Sequence, residues 1–202
     1  AFTPDGGHLV SVGGDSLRLW PLTGALDAEG RVLLERPGGF PGIDIDPSGD
    51  RAVTSAGGRV LVVPLKPGPI RSLEGFSGKV QISAVAFGDG GRLVAAVPFT
   101  SPRAEKLVRV WDLESGEVRT FGPTPGAGEG FKGGVDAIAF AGREALLADG
   151  PSLSRLNLRD GTWAAVSKPD SLLGTDRQAK AALARVIGDG VSSLVRVDLG
   201  GG

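Results

Sequence analysis

Apolar and polar positions alternate along this chain in short bursts. The clearest runs from Val108 through Arg109 and Val110 to Trp111, and Leu17-Arg18-Leu19-Trp20 repeats the pattern. A period of two sends successive side chains to opposite faces, so these bursts predict strands, not helices. Around Val108 the pattern predicts four strands: Gln81–Phe87, Arg92–Val97, Lys106–Leu113 and Glu117–Phe121. Gly88-Asp89-Gly90-Gly91 and Glu114-Ser115-Gly116 supply the turns, because glycine tolerates the positive φ a hairpin demands. Other apolar bursts predict further strands in the same order. They are Leu9–Val12, Leu17–Trp20 and Arg31–Leu34; then Gly42–Ile45, Ala52–Ser55, Val60–Val63 and Ile70–Leu73. Beyond Val135 the strands are Val135–Phe140, Ala145–Ala148, Leu153–Leu158 and Thr162–Val166, then Ser171–Gly174, Ala181–Ile187 and Ser193–Leu199. Helix and strand compete over Ala179–Val186, which is rich in helix formers.

These strands come in repeating units. Phe-Thr-Pro-Asp-Gly at Phe2–Gly6 returns as Ile45–Gly49, as Phe87–Gly91 and, worn, as Phe140–Arg143. A second phrase ends on Leu22, Leu65, Leu113, Leu158 and Leu199, at steps of 43, 48, 45 and 41 residues. Two phrases repeating in step at this period predict an all-β fold, a β-propeller of four-stranded antiparallel blades. About five blades are expected over 1–202, near 1–36, 37–76, 77–123, 131–168 and 169–202. The terminal blades read as incomplete. Ala1-Phe2 resembles the tail of an inner strand, and Leu199 closes a third strand with no fourth after it. The expectation is a piece of a larger propeller of seven blades or so.

Composition changes this picture little. The 34 glycines and 14 prolines fall mostly between apolar runs, as turns demand. The formal charge of −1 gives no electrostatic case for a nucleic-acid partner. The absence of cysteine excludes disulfides, thiolate metal sites and a thiol nucleophile. No apolar run reaches the roughly 18 residues that span a bilayer, so membrane insertion is not expected. Arginine outnumbers lysine 16 to 6, a bias of GC-rich and typically bacterial genomes. With no signal peptide in view, a cytoplasmic location is expected.

The phrase Val108–Gly116, preceded by Val85–Gly91, resembles a WD-repeat protein, as does Ala1–Gly6 followed by Gly13–Trp20. The resemblance covers nearly the whole chain. It implies a non-catalytic scaffold that recruits a protein or peptide partner, inside a larger bacterial protein. It also implies structural roles for the turn residue Asp15, for Trp20, and for the pair Trp111-Asp112; Asp189 is a second match to the turn aspartate. The Trp-Asp pair survives only at Trp111-Asp112, and the Gly-His dipeptide that opens a family repeat is absent. Ile45–Asp50 is equally similar to propellers of periplasmic translocation proteins. It is similar too to those that gate substrate entry in prolyl-oligopeptidase-like hydrolases.

Catalytic and cofactor motifs are outweighed by simpler readings. Gly128–Gly133 fits G-x-G-x-x-G, but a strand follows where a phosphate site needs a helix. Gly75–Lys79 lacks the Ser/Thr that a phosphate loop carries after its lysine. Asp44, Asp46 and Asp50 have a spacing that suits calcium, against a solvated or turn-capping role. A triad would depend on the single histidine, His8, and no G-x-S-x-G is present. No catalysis, metal or cofactor is therefore expected. Trp111 and Trp20 are expected to pack between blades, and Trp163 to lie partly exposed on an outer strand. The long loops Pro98–Glu105 and Gly122–Gly134 share one face. They mark a candidate partner-binding patch at Phe99, Arg103, Phe131 and Lys132, where aromatics sit beside basic residues.

Overall fold

In the computed structural model, described over residues 1–23, 29–35, 42–76, 80–99, 107–122, 137–141, 144–149, 152–167, 171–175, 181–188 and 191–198, the chain is all-β. Five antiparallel sheets follow one another along the sequence. Sheet I holds β1 (His8–Gly13), β2 (Ser16–Pro21) and β3 (Arg31–Glu35). Sheet II holds β4 (Ile43–Ile45), β5 (Arg51–Ala56), β6 (Arg59–Pro64) and β7 (Arg71–Leu73). Sheet III holds β8 (Gln81–Gly88), β9 (Leu93–Phe99), β10 (Val108–Asp112) and β11 (Val118–Phe121). Sheet IV holds β12 (Ala137–Ala141), β13 (Glu144–Asp149), β14 (Ser152–Asn157) and β15 (Trp163–Ser167). Sheet V holds β16 (Ser171–Thr175), β17 (Ala181–Gly188) and β18 (Val191–Asp198). Every sheet is a meander, each strand pairing with its neighbour in sequence. Among the described residues, no helix is long and apolar enough to cross a membrane.

The repeated phrases fold into repeated turns. In the first, Gly6 N–H bonds Thr3 O and Thr3 N–H bonds His8 O; in the second, Gly49 N–H bonds Asp46 O and Asp46 N–H bonds Arg51 O. The later turns also match, with Gly116 N–H on Asp112 O and Gly161 N–H on Asn157 O, each 2.9 Å. Asn157 thus stands where Asp112 does. Sheet III departs at Gly88, where a Cβ would lie 2.2 Å from the Phe140 ring. Glycine there lets Phe140 of sheet IV close against the turn.

Core packing is between sheets, not within them. On β5, Ala52 and Ala56 face sheet I while Val53 faces sheet III. On β6, Leu61 and Val63 face sheet I while Val60 and Val62 face sheet III. On β9, Val94 and Ala96 face sheet II while Ala95 and Val97 face sheet IV. Period-two alternation on a strand buried on both faces gives the near-continuous apolar runs Val60–Val63 and Val94–Val97. The first strands of sheets II to V touch in succession, β4 against β8, β8 against β12, and β12 against β16. The Ala181–Ile187 stretch is a strand despite its helix formers, because β17 pairs on one side with β16 and on the other with β18.

Candidate functional site

The cleft between sheets II and III gathers more charge than any other recess among the described residues. It opens where the turns before β5, β7, β9 and β11 cluster, and has a volume of about 430 Å³. Arg51, Arg71, Asp89, Arg92, Leu113 and Glu114 line it, with Gly90 and Gly91 in its wall. Each basic group arrives from the first turn of a strand.

Arg51 opens β5. Its Nε donates to Asp46 Oδ2 at 2.7 Å, and its Nη2 donates to Gly91 O at 2.9 Å. The guanidinium also lies 5.5 Å from the Phe87 ring centroid. Asp46 is fully buried, and its other oxygen accepts the Asp50 and Arg51 N–H groups. One carboxylate therefore closes a turn and orients an arginine that reaches the next sheet. Gly91 has φ +93, and a Cβ there would fall 2.8 Å from Arg51 Nη2, so no other residue fits. Asp89 beside it has φ 48, the one positive φ outside glycine among the described residues.

Arg92 donates to Asp112 Oδ2 from Nε at 3.0 Å and Nη2 at 2.6 Å, with Glu114 3.5 Å away. Asp112 also accepts the N–H groups of Glu114 and Ser115. The Arg92 hydrogen bond first, then the Ser115 N–H, hold the Asp112 carboxyl well below the usual carboxylate range. Arg71 donates from Nη1 to Leu113 O at 2.8 Å and, among the described residues, joins no ion pair. Two arginines in the cleft are thus neutralised by fixed carboxylates, and one exposed cation is left. Such a recess can hold a carboxylate or another planar anion.

Asp44 does a different job. Its Oδ2 accepts the Phe87 N–H of sheet III and its Oδ1 accepts the Ile45 N–H, both at 2.8 Å. Burial, the largest influence, pushes its carboxyl above the ordinary value. The expected face-sharing of Asp44 and Asp46 as solvated carboxylates is corrected here. Asp46 lies past the end of β4 and caps a turn with an ion pair, while Asp50 pairs with Lys66 at 2.8 Å. Among the described residues, no group of three or more His, Cys, Asp or Glu is placed to hold a metal ion.

The other expected residues scatter. Phe99 ends β9, paired with Gln81, whereas Arg103, Phe131 and Lys132 lie outside the described residues, as does Asp189. The G-x-G-x-x-G stretch lies outside them too. Asp15 stands in the β1–β2 turn. Trp111 is buried between sheets II and III, with Nε1 on Glu74 O at 2.8 Å and its ring edge-on to Phe76. Trp20 departs from the expected packing between sheets. It is half-buried over Gly30 of its own sheet, with Nε1 on Ser11 Oγ at 2.8 Å. Trp163 is half-buried against the core of sheets III and IV. His8 hydrogen-bonds through its backbone to Thr3, whose hydroxyl also donates to Asp5 Oδ1 at 2.6 Å. The cleft lies on the face of short turns, opposite the long loops that drew the sequence reading. Its arginines were missed because their partners are remote, although the recurrence of arginine at strand openings (Arg51, Arg71, Arg92) was a visible signal.

No family model matches this chain, and no curated protein matches it.

Proposed function

We propose that this chain is a non-catalytic interaction module of the WD-repeat type, its five sheets being successive blades of a β-propeller. The observation that carries the reading is the packing order: sheet II packs on both I and III, and sheet III on both II and IV. A two-layer sandwich would give each sheet one partner. Successive contacts between inner strands favour radial stacking.

The partner surface in this reading is the Arg51–Arg71–Arg92 cleft, and the partner segment is acidic. Asp46 and Asp112 fix two guanidiniums in place, so little side-chain entropy is lost when a carboxylate docks against Arg71. The patch around Phe99, Arg103, Phe131 and Lys132 is a second proposed contact on the opposite face.

Fluorescence anisotropy with a labelled Glu-rich peptide and a Lys-rich counterpart of equal length tests the cleft. The acidic peptide binds more tightly, its affinity falls with salt, and Arg71→Gln weakens it about tenfold, near 1.4 kcal/mol. Equal binding of both peptides, or no effect of Arg71→Gln in a folded protein, removes the cleft from the proposal. Phe99→Ala with Phe131→Ala tests the second patch through capture of the same partner.

A further inference from the structure

One contact recurs at every described junction from sheet I to sheet IV. Arg31 of β3 donates from Nη2 to Leu65 O. Arg71 of β7 donates from Nη1 to Leu113 O at 2.8 Å, and Arg119 of β11 from Nη1 to Leu158 O at 2.5 Å. In each case the outer strand of one sheet reaches the leucine that ends the repeated phrase in the next. The arginines also share one register: Arg31 faces Leu19, Arg71 faces Val62 and Arg119 faces Val110 across the sheet. Those partners stand three residues before Leu22, Leu65 and Leu113. The contact is a latch specified by position within the repeat.

Sheet I carries the receiving half of this latch. Leu22 N–H bonds Gly7 O at 2.8 Å, as Leu65 N–H bonds Asp50 O and Leu113 N–H bonds Arg92 O. The carbonyl of Leu22 is thereby set like theirs, yet no described residue donates to it. Side chains at matching positions show the same difference. Leu22 is 47% exposed where Leu65 and Leu158 are 5% and 6%, and Phe2 is 65% exposed where Phe87 and Phe140 are each 7%. Ser11 and Trp20 are half-buried where Thr54 and Val63, 43 residues on, are buried.

We infer that this face of sheet I is a docking surface for one further four-stranded sheet of the same repeat, supplied by polypeptide outside residues 1–202 and carrying the latch arginine on its outer strand. The face continues, one step back, the interfaces already made by sheets II, III and IV. This chain has no arginine to spare for it. Arg31, Arg71 and Arg119 are engaged, and sheet IV has Ala164, opposite Arg155, at the latch position. The inference rests on these packed interfaces and is independent of the acidic-peptide reading of the cleft.

The absence of cysteine makes the test direct. Leu22→Cys and Phe2→Cys are labelled with a thiol reagent in the chain as it stands, where both react fast. Residues 42–85 are then added ahead of Ala1, so that Ala1-Phe2 follows Val85 as Ala86-Phe87 does in sheet III. Labelling at both positions then slows at least about tenfold. Replacing the arginine of the added segment by alanine restores part of the rate, while the same change at native Arg71 does not. Unchanged labelling overturns the inference whether or not the added segment folds, because a sheet of the stated kind was offered and did not dock. Slowed labelling that ignores the added arginine also overturns it.

Discussion

At the scale of single residues, buried carboxylates organise the turns. Asp46 has no exposure and accepts two backbone N–H groups and the Arg51 guanidinium. Asp46→Ala strands those donors, so it should cost about 3 kcal/mol, and Asp46→Asn distinctly less, since an amide oxygen still accepts from the turn. Urea denaturation of the three proteins measures both. Asp112 gives a pH signature. Its folded carboxyl titrates below its unfolded value, so its contribution is present above about pH 4 and is lost as pH falls toward the folded value. Asp44, raised by burial, acts in the opposite sense: stability falls as pH rises from the ordinary carboxylate value to its own. Asp112→Asn isolates the first effect and flattens the acid limb of stability against pH; an unchanged limb contradicts it. Asp112 was legible as a structural residue because it follows Trp111 in a familiar phrase. The buried role of Asp46 was not, because its partner Arg51 reaches back from the opening of the next strand, to a depth the sequence does not show.

At the scale of elements, strands and turns were readable where alternation and glycine coincide. Val108–Asp112 and Ser16–Pro21 lie where alternation put them. Ala181–Gly188 is harder, since its local preference is helical and only pairing on both edges settles it as a strand. The latches are an element-scale feature hidden from sequence. Arg119 and Leu158 lie 39 residues apart, and neither residue type is unusual in a strand. Arg119→Ala should cost about 1 kcal/mol, a typical charge-assisted hydrogen bond discounted for partial exposure. Hydrogen exchange should quicken in β11 and β14 while β1 and β2 keep their protection. Uniform acceleration would mean that the latch holds no particular junction.

At the scale of the molecule, three apolar clusters each span one junction, between sheets I and II, II and III, and III and IV. Stability in such an array is close to a sum of sheet and junction terms. Leu147, 1% exposed in the III–IV cluster, and Leu17, 0% exposed in the I–II cluster, probe this separately. Each change to alanine should cost about 2–5 kcal/mol. Leu147→Ala opens sheets III and IV to hydrogen exchange before sheet I, and Leu17→Ala does the reverse. Their combined effect in a double variant is additive, because the two cavities share no neighbours. A single cooperative opening in both variants would refute junction-by-junction stability.

The order and type of the elements came from sequence because side-chain direction in a strand depends only on position parity, and a turn only on a few adjacent residues. Parity, however, says which residues share a face, and not what covers it. That Val53 meets sheet III while Ala52 meets sheet I was decided by tertiary packing. So were the Asp46–Arg51 pair, the three arginines of the cleft and the exposed face of sheet I. Each depends on groups brought together across a junction, where distance along the chain carries no information about distance in space.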